Sequence, residues 1–416
     1  MRSRGRLVLS WVAVVVLVAM GAAEPASAEP LLKDGDRMVF LGDSITQQRI
    51  YTRYVMDFFA LRYPEMEVAF RNAGVGGDTA VGAIKRLNKD VLELRPSVVS
   101  ICFGMNDGGY TRFEEERHET FMAAMTVLLA DLRRAGAKVV LLTPGPVDPD
   151  RGDDPAGMRV YNETLACYAQ GVKELARAKG LPVYDIHTLM LDVQTRARAD
   201  DPQFTMIPDS VHPSAPGQAL MAYALLKALG CEGKASGLEI DGRTGAVQAD
   251  RCAVDNLRVS PSEVTFTRKD KALPTYFDPE AAAVFRYTPI MEELNEYRFR
   301  VVGLQAGSWR LTAEDLEVGT FTAEELAAGV NLARRPGPWQ VLGKAVNDLV
   351  AEQENIYLQK RQLAGVFSWI APPPPEAEVE KLALMRKLDE AVQARENSMR
   401  RLVGDRTWEW RLTRTP

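Results

Sequence analysis

This chain is poor in the side chains that usually announce a reaction. Its 416 residues hold three histidines and four cysteines. None of the cysteines has the spacing of a metal-ligand pair, and neither a metal nor an organic cofactor is expected. A strongly basic character is also missing, since the formal charge is −5 and the pI near 5.6. With no long basic stripe either, nucleic acid is not an expected partner. Beyond the first two dozen residues no stretch is long and apolar enough to cross a bilayer. No internal repeat or low-complexity tract is present. What remains is a globular composition, 46% hydrophobic and 26% charged with mean hydropathy −0.17, on a chain long enough for two domains.

The N-terminus reads as an address. Arg2, Arg4 and Arg6 precede an apolar run from Leu7 to about Ala23, and Ala26–Ala28 form a small-x-small cleavage site. About 17 apolar residues are short for an anchor, so export with cleavage after Ala28 is expected, giving a periplasmic or extracellular protein. Losing three Arg and one Glu takes the charge to −7. No cysteine follows the run to carry a lipid. In an oxidising compartment a Cys231–Cys252 disulfide is compatible with their closeness at a domain junction. Cys102, in a strand, and Cys167, in a helix, read as core thiols.

From Arg37 to about Gly230 strand-like and helix-like stretches alternate. The strand candidates "RMVFL", "VAFRN", "SVVSICF", "KVVLLT" and "PVYDI" are continuous apolar runs, as in strands covered on both faces. Between them lie helical stretches such as Ala80–Leu94, Phe113–Arg134 and Met158–Lys179. The expected fold is α/β, a doubly wound, flavodoxin-like parallel sheet of five strands. The texture then changes. "YRFRV" and "WRLTA" alternate as one-sided antiparallel strands do, and "TAEELAAGVNLA" reads as a short capped helix. Amphipathic helices follow near 338–363 and 376–402, separated by the stiff spacer "APPPPE". In the second, Met385, Leu388, Val392, Met399 and Leu402 share one face, which is packing surface. Trp309, Trp339 and Trp369 are scattered, as core tryptophans are. The division expected is a signal peptide at 1–28, a catalytic domain at 29–231 and a smaller α+β region at 232–416, with antiparallel strands at about 253–322.

Each turn at a strand's carboxyl end carries something unusual. "FLGDSITQQ" puts Ser44 where the first strand stops, "NAGVGGDT" follows the second, "GMNDGG" the third, and "PDSVHP" lies in a long loop after the fifth. Taken singly, Ser44 could cap a helix, the glycines could serve backbone geometry, and Asn106 could be a turn residue. A serine nucleophile needs a base. His118, in the charged "EEERHET", reads as solvated, and His187 as structural. His212 alone has a carboxylate, Asp209, three residues upstream, close enough to fix its tautomer and leave the other nitrogen for Ser44. Acyl transfer also needs oxyanion donors. The Ser44 N–H, a glycine N–H from "GVGGDT" and the Asn106 amide are the candidates.

Four ordered blocks over about 170 residues resemble the SGNH hydrolases, the GDSL esterase/lipase family: "GDSIT", "NAGVGGDT", "GMND" and "DSVHP". The resemblance implies Ser44 as nucleophile, His212 as base, Asp209 as the residue orienting it, and Ser44, Gly77 and Asn106 as the oxyanion hole, with Gly76 the adjacent candidate for the glycine. Met105 stands where a second glycine is common. Thr46 stands where the elbow of α/β-hydrolases would have its second glycine, which separates the two folds. The C-terminal half looks similar to extensions that follow SGNH domains in some environmental bacteria. The implied function is an exported serine ester hydrolase acting through an acyl-enzyme. Its expected substrate is a small or polysaccharide-linked ester, with deacetylation of a carbohydrate first. A lipolytic carboxylesterase or thioesterase on longer acyl chains, and a catalytically silent glycan-binding protein, are the alternatives. Oligomeric state is not readable from the sequence.

Overall fold

The computed structural model describes residues 30–231, 233–365, 374–404 and 406–415. The N-terminal address segment, Trp369 and the first half of the four-proline spacer lie outside them. Five strands, β1 (Arg37–Gly42), β2 (Ala69–Gly74), β3 (Val98–Cys102), β4 (Lys138–Leu142) and β5 (Val183–Tyr184), form one parallel sheet in the order β2-β1-β3-β4-β5. The expected α/β architecture and flavodoxin-like strand order are therefore present. Between the strands run α1 (Ser44–Gln47), α2 (Ile50–Arg62), α3 (Ala80–Asp90), α4 (Glu115–Arg134), α5 (Pro155–Lys179), α6 (Ile186–Asp200) and α7 (Ala215–Ala228). Every residue of β3 is buried, which is why that run carries no polar alternation. The order of strands reverses beside β1, with β2 on one side and β3 on the other. That switch point opens a crevice at the carboxyl ends of the strands.

Two further sheets follow. β6 (Lys234–Asp241) and β7 (Val247–Asp250) join β10 (Glu296–Val302) and β13 (Val330–Asn331) in the order β13-β10-β6-β7. β8 (Cys252–Val259), β9 (Glu263–Asp270), β11 (Ser308–Ala313), β12 (Leu316–Thr322) and β14 (Thr407–Arg414) form the other, in the order β12-β11-β14-β9-β8. Short α8 (Ile290–Glu293) precedes β10, and α9 (Ala323–Ala328) carries a capping box between Thr322 and Glu325. Strand structure thus starts well before 253. β10 also pairs with β6 in parallel, because more than fifty residues separate them and leave room for a crossover. Trp309, Trp339 and Trp410 are buried, with Trp339 and Trp410 stacked at 5.3 Å between ring centroids.

The long helices α10 (Pro338–Gly365) and α11 (Pro375–Val403) pair with one another and lie on α2 and the β2 edge. The stripe on α11 faces inward, with Val392 and Met399 buried and Met385, Leu388 and Leu402 half-buried. One hydrophobic cluster runs without a break from Phe40 and Phe58 through Leu226 and Leu238 to Trp309 and Val346.

Three further sequence readings need correction. All four cysteines are free, so no Cys231–Cys252 disulfide is formed. Cys231 is buried behind α7, while the Cys252 thiol donates to the Gly237 carbonyl at 3.3 Å. Cys167 is exposed, because it falls on the outer face of α5. His118 is not a solvated side chain. It packs among Phe113, Phe121 and Tyr168, and desolvation lowers its pKa against the pull of neighbouring glutamates.

Candidate active site

Ser44 is the first residue of α1. The cap is Asp43, not Ser44: its carboxylate accepts the Ile45 N–H at 3.0 Å. A serine at that first helical position has a backbone N–H without an intrahelical acceptor, aimed out of the strand end. Two glycines let α1 lie this close to the sheet. A Cβ on Gly42 would stand 2.1 Å from Thr46 Oγ1 and 2.9 Å from the Cys102 carbonyl oxygen. One on Gly74 would stand 2.4 Å from the Gln47 backbone nitrogen.

His212 arrives from the loop before α7. Its Nε2 is 2.9 Å from Ser44 Oγ, and its Nδ1 is 2.8 Å from Asp209 Oδ2. The other Asp209 oxygen accepts the backbone N–H groups of His212 at 2.7 Å and Val211 at 3.0 Å. Partial burial works against ionisation of Asp209, but these N–H groups and the imidazole outweigh it and hold the carboxyl below its ordinary range. The acid therefore faces the ring as a carboxylate and favours the tautomer with a proton on Nδ1.

The loop bearing this pair is fastened from behind by residues that the sequence reading did not single out. Asp148, fully buried, accepts Arg198 Nη2 at 2.7 and 2.9 Å and the Thr205 hydroxyl at 2.5 Å. Its backbone exchanges further bonds with Ser210, which has φ +75°. Aspartates and arginines scattered over fifty residues give no local signal of such a knot.

Opposite the histidine, Gly77 has φ +71°, a conformation that favours glycine, and nothing stands within 4 Å of where a Cβ would be. Gly76 is next to it, with Gln47 Oε1 at 2.9 Å from its own Cβ position. Asn106 donates one amide N–H to the carbonyl of Asp78, at 2.9 Å, and accepts from the Tyr110 hydroxyl. A primary amide has a second N–H to offer. Asn106 is thus tied to the residue following Gly77, and the second and third blocks form one unit.

Two buried carboxylates, both missed from sequence, underlie the unit. Burial raises Asp43 to about 7, with Asp107 and Asp78 adding to the rise and the Ile45 N–H and His212 opposing it. Burial likewise raises Asp107 to about 6, although its carboxylate accepts from Ala80 and Gly104. Asp107 thereby joins the start of α3 to the Asn106 turn. His187 is buried and lowered by desolvation, consistent with a structural role. Among the described residues no group of three or more His, Cys, Asp or Glu is arranged to hold a metal ion. Nor is any described helix long and apolar enough to cross a membrane.

Comparison with known proteins places part of this chain beside several relatives. Residues 40–220 match the model of the GDSL-like Lipase/Acylhydrolase family. Over 224 residues the chain is 27% identical to an acetylxylan esterase of Geobacillus stearothermophilus, covering 48% of this chain and 95% of the relative. A shorter likeness, 33% over 86 residues, joins it to the uncharacterized lipoprotein YqeF of Bacillus subtilis (strain 168), covering 20% of this chain and 34% of that one. Among solved structures, BT4096, a gut microbial diltiazem-metabolizing enzyme, superposes with a TM-score of 0.78 at 25% identity. That likeness covers 94% of this chain and 99% of the other, so it takes in the C-terminal sheets and helices as well.

Proposed function

This chain belongs through residues 40–220 to the GDSL-like lipase/acylhydrolase family, the SGNH hydrolases, and is a carboxylic ester hydrolase; on that premise we propose that Ser44, His212 and Asp209 are its catalytic triad. The observation that carries the reading is the relay of two contacts below 3 Å from Asp209 through His212 to Ser44 Oγ. Ser44 Oγ attacks the ester carbonyl carbon as its proton passes to His212 Nε2. The carbonyl oxygen becomes an oxyanion, taken up by the N–H groups of Ser44 and Gly77 and by the Asn106 amide. Collapse expels the alcohol, which receives the proton from His212, and leaves an acyl-Ser44. Water, deprotonated by His212, attacks the acyl-enzyme through a second oxyanion and releases the acid. Asp209 stays ionised throughout and holds the ring in place.

The substrate we propose is an acetyl ester on a carbohydrate, met outside the cytoplasm after removal of residues 1–28. Support comes from the acetylxylan esterase relative, whose likeness spans almost its whole length, and from the arginine-led apolar N-terminus. The test is a panel of aryl esters of two to twelve acyl carbons, with acetylated xylan beside it, run on the wild type and Ser44→Ala. Turnover concentrated on acetyl groups, including those of xylan, and abolished in Ser44→Ala, is expected. A preference for acyl chains of about eight carbons or more would replace the reading with a lipolytic one. Ser44-independent turnover would remove the triad assignment.

A further inference from the structure

The strand that feeds the oxyanion loop, β2, is the edge of the parallel sheet. Its Asn72 and Gly74 carbonyls point outward, away from β1, where among the described residues no further strand donates to them. Edge acceptors of this kind normally face water. Here one guanidinium takes both: Arg361 Nη1, near the C-terminal end of α10, lies 3.1 Å from Asn72 O and 3.1 Å from Gly74 O. Its Nη2 pairs with Asp90 Oδ2 at 2.9 Å. The same Asp90 oxygen receives Arg86 Nη1 at 3.2 Å. Arg86 in turn donates to the Ala73 carbonyl at 2.7 Å, the Gly42 carbonyl at 3.2 Å and Asp78 Oδ2 at 2.7 Å. Two guanidiniums joined by one carboxylate therefore grip the chain at residues 42, 72, 73, 74 and 78. Those positions bracket Val75–Gly77, the loop that presents the Gly77 N–H.

A cleft of about 450 Å³ lies between that loop and the helical pair, lined among others by Gln47, Val75, Tyr357 and Met385. Arg361 spans this cleft. It is well shielded, at 18% side-chain exposure, as is Asp90. Its helix is itself fixed: Asn347 donates to the buried Asp57 at 2.6 Å, and Arg49, just beyond α1, donates to Asn355 at 2.8 Å. α10 thus bears on both the Ser44 turn and the oxyanion loop.

Resting on the oxyanion assignment made above, we propose that Arg361 is a positioning residue for the reaction: the C-terminal helical pair completes the active site by fixing the loop that carries Gly77. Arg361 touches no reacting atom. It acts by keeping the Gly77 N–H at the distance where the oxyanion, rather than the ground-state carbonyl, is bound. A flexible ammonium cannot reproduce two carbonyls and a carboxylate at once, whereas the planar fork can.

The test uses the full chain and an aryl acetate, comparing wild type, Arg361→Met, Arg361→Lys and Lys360→Met, with Ser44→Ala as reference. Losing an oxyanion donor outright costs about 10²–10³-fold in kcat, so a donor left in place but loosened should cost roughly 10–50-fold. We expect that fall in kcat for Arg361→Met with KM within about threefold, since only transition-state contacts change. Arg361→Lys, able to keep the pair with Asp90 and one carbonyl, should recover part of the loss. Lys360→Met removes the neighbouring ion pair to Asp389 on α11 and should stay within about twofold of wild type. If Arg361→Met lacks a cooperative thermal transition, the decision passes to Arg361→Lys, for which at least a threefold loss of kcat is required. Folded Arg361 variants with wild-type kcat, or with a change in KM alone, overturn the inference. A wild type without esterase activity, or an active Ser44→Ala, overturns the underlying reading instead.

Discussion

Replacing Glu354 with glutamine removes one proton-binding site from the seam between α2 and α10, and the structure fixes the sign of the effect. Glu354 is buried, with the Thr52 hydroxyl 3.4 Å from its carboxylate oxygens. Burial raises its pKa from 4.5 to about 8, while Arg49, Arg53 and the Thr52 hydroxyl oppose the rise. Asp57, also buried in that seam, is raised in the same way despite its bond from Asn347. The folded protein therefore keeps the Glu354 proton up to about pH 8, whereas the unfolded chain releases it above about 4.5. A raised acid of this kind leaves stability at its full value below the unfolded pKa and drains it as pH rises through the folded one. Each full pH unit in that window costs about 1.4 kcal/mol, so between pH 5 and pH 8, with titration incomplete at both ends, this one group should remove about 3.5 kcal/mol. Glutamine fills the same volume without titrating. The stability of Glu354→Gln relative to wild type should thus grow by about 3.5 kcal/mol from pH 5 to pH 8. Urea unfolding followed by tryptophan fluorescence at pH 5, 6, 7 and 8, with equal m-values, measures it. A difference between the two proteins that is flat across those pH values, or that shrinks toward pH 8, would refute the argument. It would mean that Arg49 and Arg53 hold the side chain as an ordinary ion pair.

Other perturbations address the site directly. Asp209→Asn keeps the shape but not the charge that fixes the His212 tautomer, so kcat should fall about 10²–10⁴-fold; steady-state kinetics showing less than a threefold loss would contradict the role. Asn106→Ala should lower kcat about 10²-fold and leave KM nearly unchanged, since its amide is asked to bind only the oxyanion. Gly74→Ala sets a methyl 2.4 Å from the Gln47 nitrogen, so the α1 turn must move. A scanning thermal melt should show a drop of at least about 5 °C, and esterase activity should fall with it. Because all four cysteines are free, a reducing agent should leave the melting temperature within about 1 °C; a larger fall would reveal a disulfide.

The parts of this molecule legible in its sequence are those where one local rule decides. A strand buried on both faces is a continuous apolar run, so the five strands of the parallel sheet stand out, and their order of function follows from where each one ends. The Asp209–His212 pair was readable because three residues span the contact. Asp43 was hidden by its neighbour, since in "GDS" either residue can cap a helix and only the hydrogen bond from the Ile45 N–H shows that the aspartate does. Asp148, Arg198 and Arg361 were illegible for another reason. Each is a charged residue in an unremarkable helix or loop, and its partner lies about 50 to 290 positions away. The amphipathic pattern of α10 foretold that one face would be covered, but not by what. Hydrophobic periodicity records how much surface must leave water, and it is nearly blind to which surface receives it. Arg361 falls in that gap: the period that buries α10 places a guanidinium near its C-terminal end, and only the docked arrangement gives it two edge-strand carbonyls to hold. A helix that its sequence marks only as amphipathic can therefore still bear on chemistry through a polar residue that docking carries to the sheet edge.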